Sequence, residues 1–364
     1  MTHFFSKIGI TERDIIYGEA LEAEKLGRLT SKQLAIIYQK RWFHLLVPKS
    51  LGGAEMSLPE FVALMEKLAA LDGSFAWNVN LGAGANMFAG FMDQGIASGI
   101  FKSEKTCIAG SGAVTGTAKI KDDGYIINGY WKYASGSAHA NYFSLNALLE
   151  DSETSEYASF IVPSAEVKVL NTWNVFGMKA TSSCDFSVNN VWVPKSYRFD
   201  LQTPSPIFQF PLYRFPFMLL AEINILVIAS GLAIHFYELV QSIAKGKIVG
   251  GSKGLQEVAL SHIPEFKEVS LKSSSSFLKN REYTFRTLDE LWKEVLEEKE
   301  ISSNLSDQFS QSIKKTITSA RDLVDSLYPY VGLKVAFTDT EISRVYRDFK
   351  VASQHALLSP SYQI

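Results

Sequence analysis

The chain has 364 residues, with 36 Lys and Arg against 38 Asp and Glu and a formal charge of −2, a balance with no electrostatic drive toward nucleic acid or an anionic membrane surface. Hydrophobic residues at 46% and charged residues at 20% describe a folded chain with a large core, not a disordered one. Two cysteines, Cys107 and Cys184, exclude a disulfide scaffold and a cysteine-rich zinc site, and six scattered histidines (His3, His44, His139, His235, His262, His355) form no local metal motif, so no metal is expected.

Met1 to Ile10 holds His3 and Lys7 and lacks an apolar core ending in small residues, so no signal peptide is expected. With so few cysteines, a reducing, cytoplasmic setting is expected. The first hundred residues read as helices. Three capping boxes, Thr11–Asp14, Thr30–Gln33 and Ser57–Glu60, pair a hydroxyl with a side chain able to reach back to it. The third opens an amphipathic helix through Phe61, Leu64, Met65, Leu68 and Leu71. A turn-rich loop, Val47 to Gly53, precedes it, and a helix pair is predicted from Ser74 to Phe101.

The texture changes near Thr106, where short β-type runs alternate with turn signals as far as about Asp200. Asp122-Asp123-Gly124 separates two of these runs, and Asn128-Gly129 is the strongest two-residue hairpin signal in the chain. Ala158 to Val162, Phe186 to Val188 and Val191 to Pro194 read as further strands, and turns every 8–12 residues or so predict a small barrel or sandwich. A connector follows with Pro204, Pro206, Pro211 and Pro216. Phe217 to Phe236 is apolar over 20 residues but carries Glu222, Asn224, Ser230 and His235, so it reads as a buried helix and not a membrane span. A polar break with Gly246, Gly250, Gly251 and Gly254, then Ser273 to Ser276, precedes amphipathic helices over 281–300 and about 306–327. The plan is α+β in three domains: helical over 1–104, β over 105–203, helical over 204–364.

No GxGxxG, Walker loop, GxSxG elbow or HExxH is present, and no repeat is visible. Several segments in order nonetheless carry a resemblance: Leu46 to Gly53, Tyr125 to Gly129 with Lys132 to Ser135 beyond it, Phe176-Gly177-Met178, Val191 to Pro194, and Arg347-Asp348. Together they resemble the acyl-CoA dehydrogenase family across nearly the whole chain. Ala109 to Ala118, Trp131 with Ser135 to Ala140, Thr172-Trp173, and Arg347-Asp348 running to Gln354-His355 look more like its flavin-dependent monooxygenase branch.

The resemblance implies helices, a central β-barrel and a C-terminal four-helix bundle, with FAD or FMN between the β domain and the C-terminal helices. It places Ser111 near the flavin ring and Thr117 near the phosphates, although the family's acidic segment is replaced here by Ser111-Gly112-Ala113. It places Tyr133 on the ring and Ser135 at its N5/O4 edge. Strand alternation aims Trp131, Tyr133 and Ser135 to one side. His139 is expected to be a structural or interface residue. The usual catalytic Glu after the Arg-Asp pair is absent; His355 stands beside that position, as in the monooxygenase branch. Glu222 falls within one residue of a second place where some dehydrogenases carry their base, an offset of about 100° on a helix.

Three functions follow. The first is a monooxygenase that takes reduced flavin from a separate flavin reductase and oxidises an aromatic or heteroatom substrate, with His355 and Ser135 in the chemistry. The second is an acyl-CoA dehydrogenase with Glu222 as base and an electron-transfer flavoprotein as acceptor. The third is a flavin-fold protein that binds without turnover. The short segment after Asp348 lacks the Thr and Gln contacts of dehydrogenases and favours the first and third. A homotetramer or homodimer is expected from the resemblance, with a small-molecule substrate and neither nucleic acid nor membrane as partner.

Overall fold

The structure, a computed structural model, describes residues 8–150, 156–201, 204, 207–250 and 257–361. Met1 to Lys7, on which most of the leader reading rests, and Pro206, Gly251 and Gly254 lie outside the described residues. The chain divides into two compact units. The first comprises Met1–Phe61, Trp77–Val175 and Lys179–Arg214; the second comprises Val62–Ala76, Phe176–Met178 and Phe215–Ile364.

In the first unit, helices α1 (Ile10–Gly18), α2 (Ala20–Leu26) and α3 (Ser31–Gln39) come first. Thr30 and Gln33 form the expected capping box at α3. Gly9 caps α1 without a side-chain bond, so Thr11 lies inside the helix and the Thr11–Asp14 box does not form. Helix α4 (Leu58–Ala69), which belongs to the second unit from Val62 onward, opens on Ser57, whose hydroxyl donates to the Glu60 carboxylate at 2.7 Å and accepts the Glu60 N–H at 3.4 Å. Helices α5 (Gly73–Asn86) and α6 (Gln94–Ile100) follow, and Asp93 caps α6 by accepting from Gly95 and Ile96. The Asn86 amide donates to the carbonyls of Phe43 and Thr106 and accepts from Ile108, which anchors the entry to the sheet.

The sheet has seven strands in the order β5-β6-β2-β1-β3-β4-β7. They are β1 (Ile108–Lys121), β2 (Gly124–Ala134), β3 (Tyr142–Leu149), β4 (Tyr157–Pro163), β5 (Lys168–Leu170), β6 (Cys184–Pro194) and β7 (Arg198–Phe199). The expected barrel does not form. The outermost strands, of three and two residues, do not pair with each other, so the sheet stays open and its edges stay short. Its core holds Trp131, Phe143, Phe160 and Phe186.

Asn128-Gly129 is not a hairpin turn. The β1–β2 turn is at Asp122-Asp123, with Asp122 at φ 52°, and Gly129 lies mid-strand opposite Gly116. The Trp131 indole covers both glycines, and a Cβ at either would collide with it. Glycine here answers to packing, not to a turn.

The second unit contains α7 (Phe217–Gly246), α8 (Pro264–Leu296), α9 (Ser303–Val331) and α10 (Glu341–Ala352), with a ribbon of β8 (Ile248–Val249) and β9 (Val258–Ala259). Helix α9 packs on α7 and α8, and α10 packs on α7. Helix α7 is long and apolar enough to cross a membrane, but 78% of its apolar window is buried within the protein, as in a core helix. Ser273 to Ser276 do not break the chain; they lie inside α8, where Ser273 and Ser274 bond back to the carbonyls of Val269 and Leu271. Glu66, late in α4, receives the Ser230 hydroxyl and the Arg281 guanidinium, and Asp72 pairs with Arg344. Both carboxylates are almost fully buried, so losing either partner would be strongly destabilising.

Candidate active site

Within the first unit, β2 runs out into a turn at Ser135-Gly136-Ser137, with Gly136 at φ 79°. The turn is tied to the segment preceding β6: Gly136 N–H donates to the Thr181 carbonyl at 2.8 Å and the Ser137 hydroxyl to the Ser182 carbonyl at 2.7 Å. Ser135 Oγ accepts Trp77 Nε1–H at 2.9 Å and lies 2.7 Å from Ser183 Oγ, which lies 2.7 Å from Thr181 Oγ1. An indole N–H only donates and a hydroxyl has one proton and two lone pairs. If Ser183 also donates to Ser135, the Ser135 proton is left for a further acceptor.

The expected alternation of Trp131, Tyr133 and Ser135 is broken. The β2–β6 register slips between Trp131 and Ala134, and Tyr133 sits in the left-handed region at φ 66°. Trp131 is fully buried, stacks on Phe186 and donates its indole N–H to the Asn146 carbonyl, so it offers no surface to a cofactor and belongs to the sheet core. Tyr133 is thrown outward, 64% exposed, with its ring edge-on to Trp173. Asp185 holds this bulge. Its carboxylate accepts from Tyr133 N–H at 3.2 Å and from the Tyr130 hydroxyl, and its own N–H donates to Thr172 Oγ1 at 2.9 Å.

A second opening lies on β1. The β1–β3 ladder is irregular between Gly110 and Gly116, and β1 pairs with β2 only from Gly116 onward. Ser111, Gly112 and Ala113 are therefore released from both neighbouring ladders, and a Cβ at Gly112 would meet only open space. Ser111 Oγ accepts the Ala113 N–H at 3.4 Å, which leaves the hydroxyl proton available. Thr117, six residues on, is a partly exposed mid-strand residue paired with Asn128 and Leu148.

His139 packs inside the first unit. It is buried and stacks on Phe43 with centroids 5.4 Å apart, and burial pushes its pKa down to about 4.

In the second unit, Arg347 and Asp348 grip Phe176-Gly177-Met178, so two segments singled out in the sequence meet. The Arg347 guanidinium donates to the Phe176 carbonyl at 2.6 Å and to Thr338, and Asp348 accepts the Met178 N–H. A side chain at Gly177 would strike the Arg347 backbone. His355 follows α10 and begins a short 3-10 turn, Ala356–Leu358. Its Nδ1 accepts the Leu357 N–H at 3.3 Å, which puts the proton of the neutral ring on Nε2. Burial lowers its pKa, so the ring is neutral at pH 7.

Glu222 lies in α7 with no exposed surface. Burial raises its pKa; Ser310 and Lys314 oppose the rise, yet neither carboxyl oxygen meets hydrogen-bond geometry among the described residues. Burial thus shifts this enclosed carboxyl toward its protonated form. No group of three or more His, Cys, Asp or Glu among the described residues could hold a metal.

Trp77, Ser183, Asp185 and Tyr130 were not anticipated from the sequence. A usable signal existed for Trp77, since Asn78 and Asn80 beside it make a polar island in an otherwise apolar helix.

No protein-family model matches the chain. It is 25% identical to indole-3-acetate monooxygenase of Acinetobacter baumannii over 320 residues, 87% of this chain and 80% of that protein. It is 23% identical to the flavin-dependent monooxygenase oxygenase subunit HsaA of Rhodococcus jostii over 371 residues, covering 94% and 91% of the two. XiaF from Streptomyces sp., solved in complex with FADH2 and glycerol, superposes with a TM-score of 0.86 at 21% identity over 96% of this chain and 91% of that one. Butyryl-CoA dehydrogenase from Megasphaera elsdenii superposes with a TM-score of 0.76 at 13% identity over 97% and 92%. The fold is that of the acyl-CoA dehydrogenases. Along most of its length the chain is similar in sequence to flavin-dependent monooxygenases that share this fold.

A flavin fits the donor set of the first unit. Ser111 to Ala113 present a glycine-opened backbone and a hydroxyl proton, Tyr133 presents an exposed ring, and Ser135, with one lone pair taken by Trp77, has a proton to spare when Ser183 donates to it.

Proposed function

We infer that the protein is the oxygenase component of a two-component flavin-dependent monooxygenase. The observation that carries this reading is the sequence similarity to flavin-dependent monooxygenases over 80% and 91% of their lengths. FAD or FMN, when bound in reduced form, supplies the electrons that activate O2. Ser111 and Thr117 hold it by their hydroxyls, Tyr133 covers the ring and excludes water, and Ser135 donates to an edge nitrogen or oxygen, with Trp77 and Ser183 fixing the direction of that proton. Trp131 acts only through the sheet beneath them. His355 orients an aromatic or heteroatom substrate through Nε2–H; to take a proton it must first move its own to Nδ1, giving up the Leu357 bond.

A flavin reductase is the partner that delivers reduced flavin. The rest of the proposal is a cytoplasmic homotetramer or homodimer with three domains, 1–104, 105–203 and 204–364, the last built on a bundle of α7 to α10.

The test is a visible spectrum of the purified protein with FAD and with FMN, followed by oxygen uptake with a flavin reductase and a panel of phenols and indoles. Substrate-dependent uptake and a product heavier by one oxygen are expected. Anaerobic bleaching of the flavin by an acyl-CoA, lost in Glu222→Gln, would instead make the protein a dehydrogenase. Neither flavin binding nor turnover would leave the non-catalytic reading.

A further inference from the structure

The segment that carries His355 is tied to the helix packed beside it by two side chains of unequal weight. Lys350, near the end of α10, pairs with Asp325 of α9, but Asp325 is more than half exposed, so this pair contributes little. Arg321, one turn earlier on α9, is more enclosed and lies among the buried residues Ile317, Ala320 and Val324. Its guanidinium donates from Nη2 to two carbonyls at once, those of Ser353 and Leu358, the second at 3.1 Å.

Those two oxygens bracket the histidine. Ser353 is the C-cap of α10, where the last carbonyls of a helix have no partner within it. Leu358 closes the 3-10 turn that His355 opens. Between them the backbone is set by His355 N–H donating to Ala352 and Leu358 N–H donating to the His355 carbonyl. A cation at a helix C-terminus is also favoured by the helix dipole.

We propose that Arg321 is a positioning residue for His355: by holding the carbonyls of Ser353 and Leu358 together it fixes the turn in which Leu357 N–H reaches His355 Nδ1, and so selects the ring orientation and the Nε2–H tautomer. Arg321 touches neither substrate nor cofactor in this role. The role of His355 in turnover rests on the function inferred above; its placement by Arg321 does not.

The experiment uses full-length protein labelled with 15N-histidine and free of flavin, so that the first readout is independent of turnover. His355→Gln identifies the ring signals by their loss. In the wild type the Nδ1 signal is that of an unprotonated nitrogen. In Arg321→Gln both nitrogens shift toward a tautomer average, and with reduced flavin and substrate kcat falls by about tenfold or more, the scale set by misplacing a catalytic group, while KM and flavin affinity change by less than about twofold. Arg321→Lys, which keeps a charged donor without the planar fork, restores part of both. If Arg321→Gln does not fold, Arg321→Lys is read by the same measurements and should show the same nitrogen shifts to a smaller extent, with kcat between those of wild type and His355→Gln.

Unchanged nitrogen signals in the folded Arg321 variant overturn the inference, whatever its activity. Shifted signals with full activity in both Arg321→Gln and His355→Gln uphold the positioning and overturn the catalytic role of His355. Loss of activity in His355→Gln beside an Arg321→Gln variant that matches wild type in signals and rate upholds the function and overturns the inference.

Discussion

Tyr133 is where local strain and exposure coincide. A bulky residue at φ 66° costs on the order of 1–2 kcal/mol and persists only if neighbours enforce it. The enforcer is Asp185, which accepts both the Tyr133 N–H and the Tyr130 hydroxyl while itself almost buried. Asp185→Ala should therefore lower unfolding free energy by about 1–3 kcal/mol in urea titration and weaken flavin binding at the same time. Stability loss with unchanged flavin affinity would separate the bulge from the cofactor. The alternation rule placed Trp131, Tyr133 and Ser135 together because it assumes an unbroken ladder; the slip between Trp131 and Ala134 turns Trp131 inward and Tyr133 outward. Nothing in Lys132-Tyr133-Ala134 announces that slip, since its cause, Asp185, is 52 residues away.

His44 and His139 are both buried with pKa values near 4, in each case chiefly through burial. Folded, they bind fewer protons than the unfolded chain, where each titrates near 6.5. Stability should thus fall as pH drops from about 6.5 toward 4, by about 1.4 kcal/mol per pH unit for each group, and level off below. Urea midpoints across that range measure it, and His139→Asn should reduce the slope. Glu222 has the opposite sign. Its raised pKa means that the folded state holds a proton the unfolded state has lost, so its burial costs stability increasingly as pH rises above about 4.5. Glu222→Gln should gain stability relative to wild type at pH 7 and less at pH 4.5. Equal effects at both would mean that the carboxyl is ionised in the fold.

At the scale of elements, β2 shows how a strong local signal loses to packing. Asn-Gly favours a two-residue turn, but here Gly129 and its partner Gly116 make the floor under Trp131, and the chain turns earlier at Asp122-Asp123. Gly129→Ala should cost about 1–3 kcal/mol by overpacking, read as a lowered thermal midpoint. An unchanged midpoint would mean that the indole can shift aside. Helix α8 gives the converse lesson. Its serine run read as a break, yet the hydroxyls bond within the helix and the apolar stripe of Phe277, Leu288, Leu291 and Val295 carries it through. Periodicity over a long window was the better guide there. Helices α3, α4 and α7 were legible because capping and apolar spacing are local properties; the open sheet was not, because strand order depends on contacts across the chain.

At the scale of the molecule, the helices–sheet–helices order was legible from two changes of texture, at Thr106 and at the proline-rich connector. The makeup of the second unit was not. It gathers Val62–Ala76 from early in the chain and Phe176–Met178 from the middle with the late helices. Two of its buried carboxylates are made early and neutralised late: Glu66 waits for Arg281, 215 residues on, and Asp72 for Arg344, 272 residues on. During synthesis, at about 5–20 residues per second, Asp72 emerges from the ribosome more than about ten seconds before its partner. An unpaired buried carboxylate is expensive, so α4 and the start of α5 have reason to stay undocked through most of translation, with apolar Phe75 and Leu68 uncovered meanwhile. Nascent chains stalled short of Arg344 should remain open to protease across 62–76, and chains released after it should close there within one folding time. The sequence distance between Asp72 and Arg344 sets how long that apolar surface waits for cover.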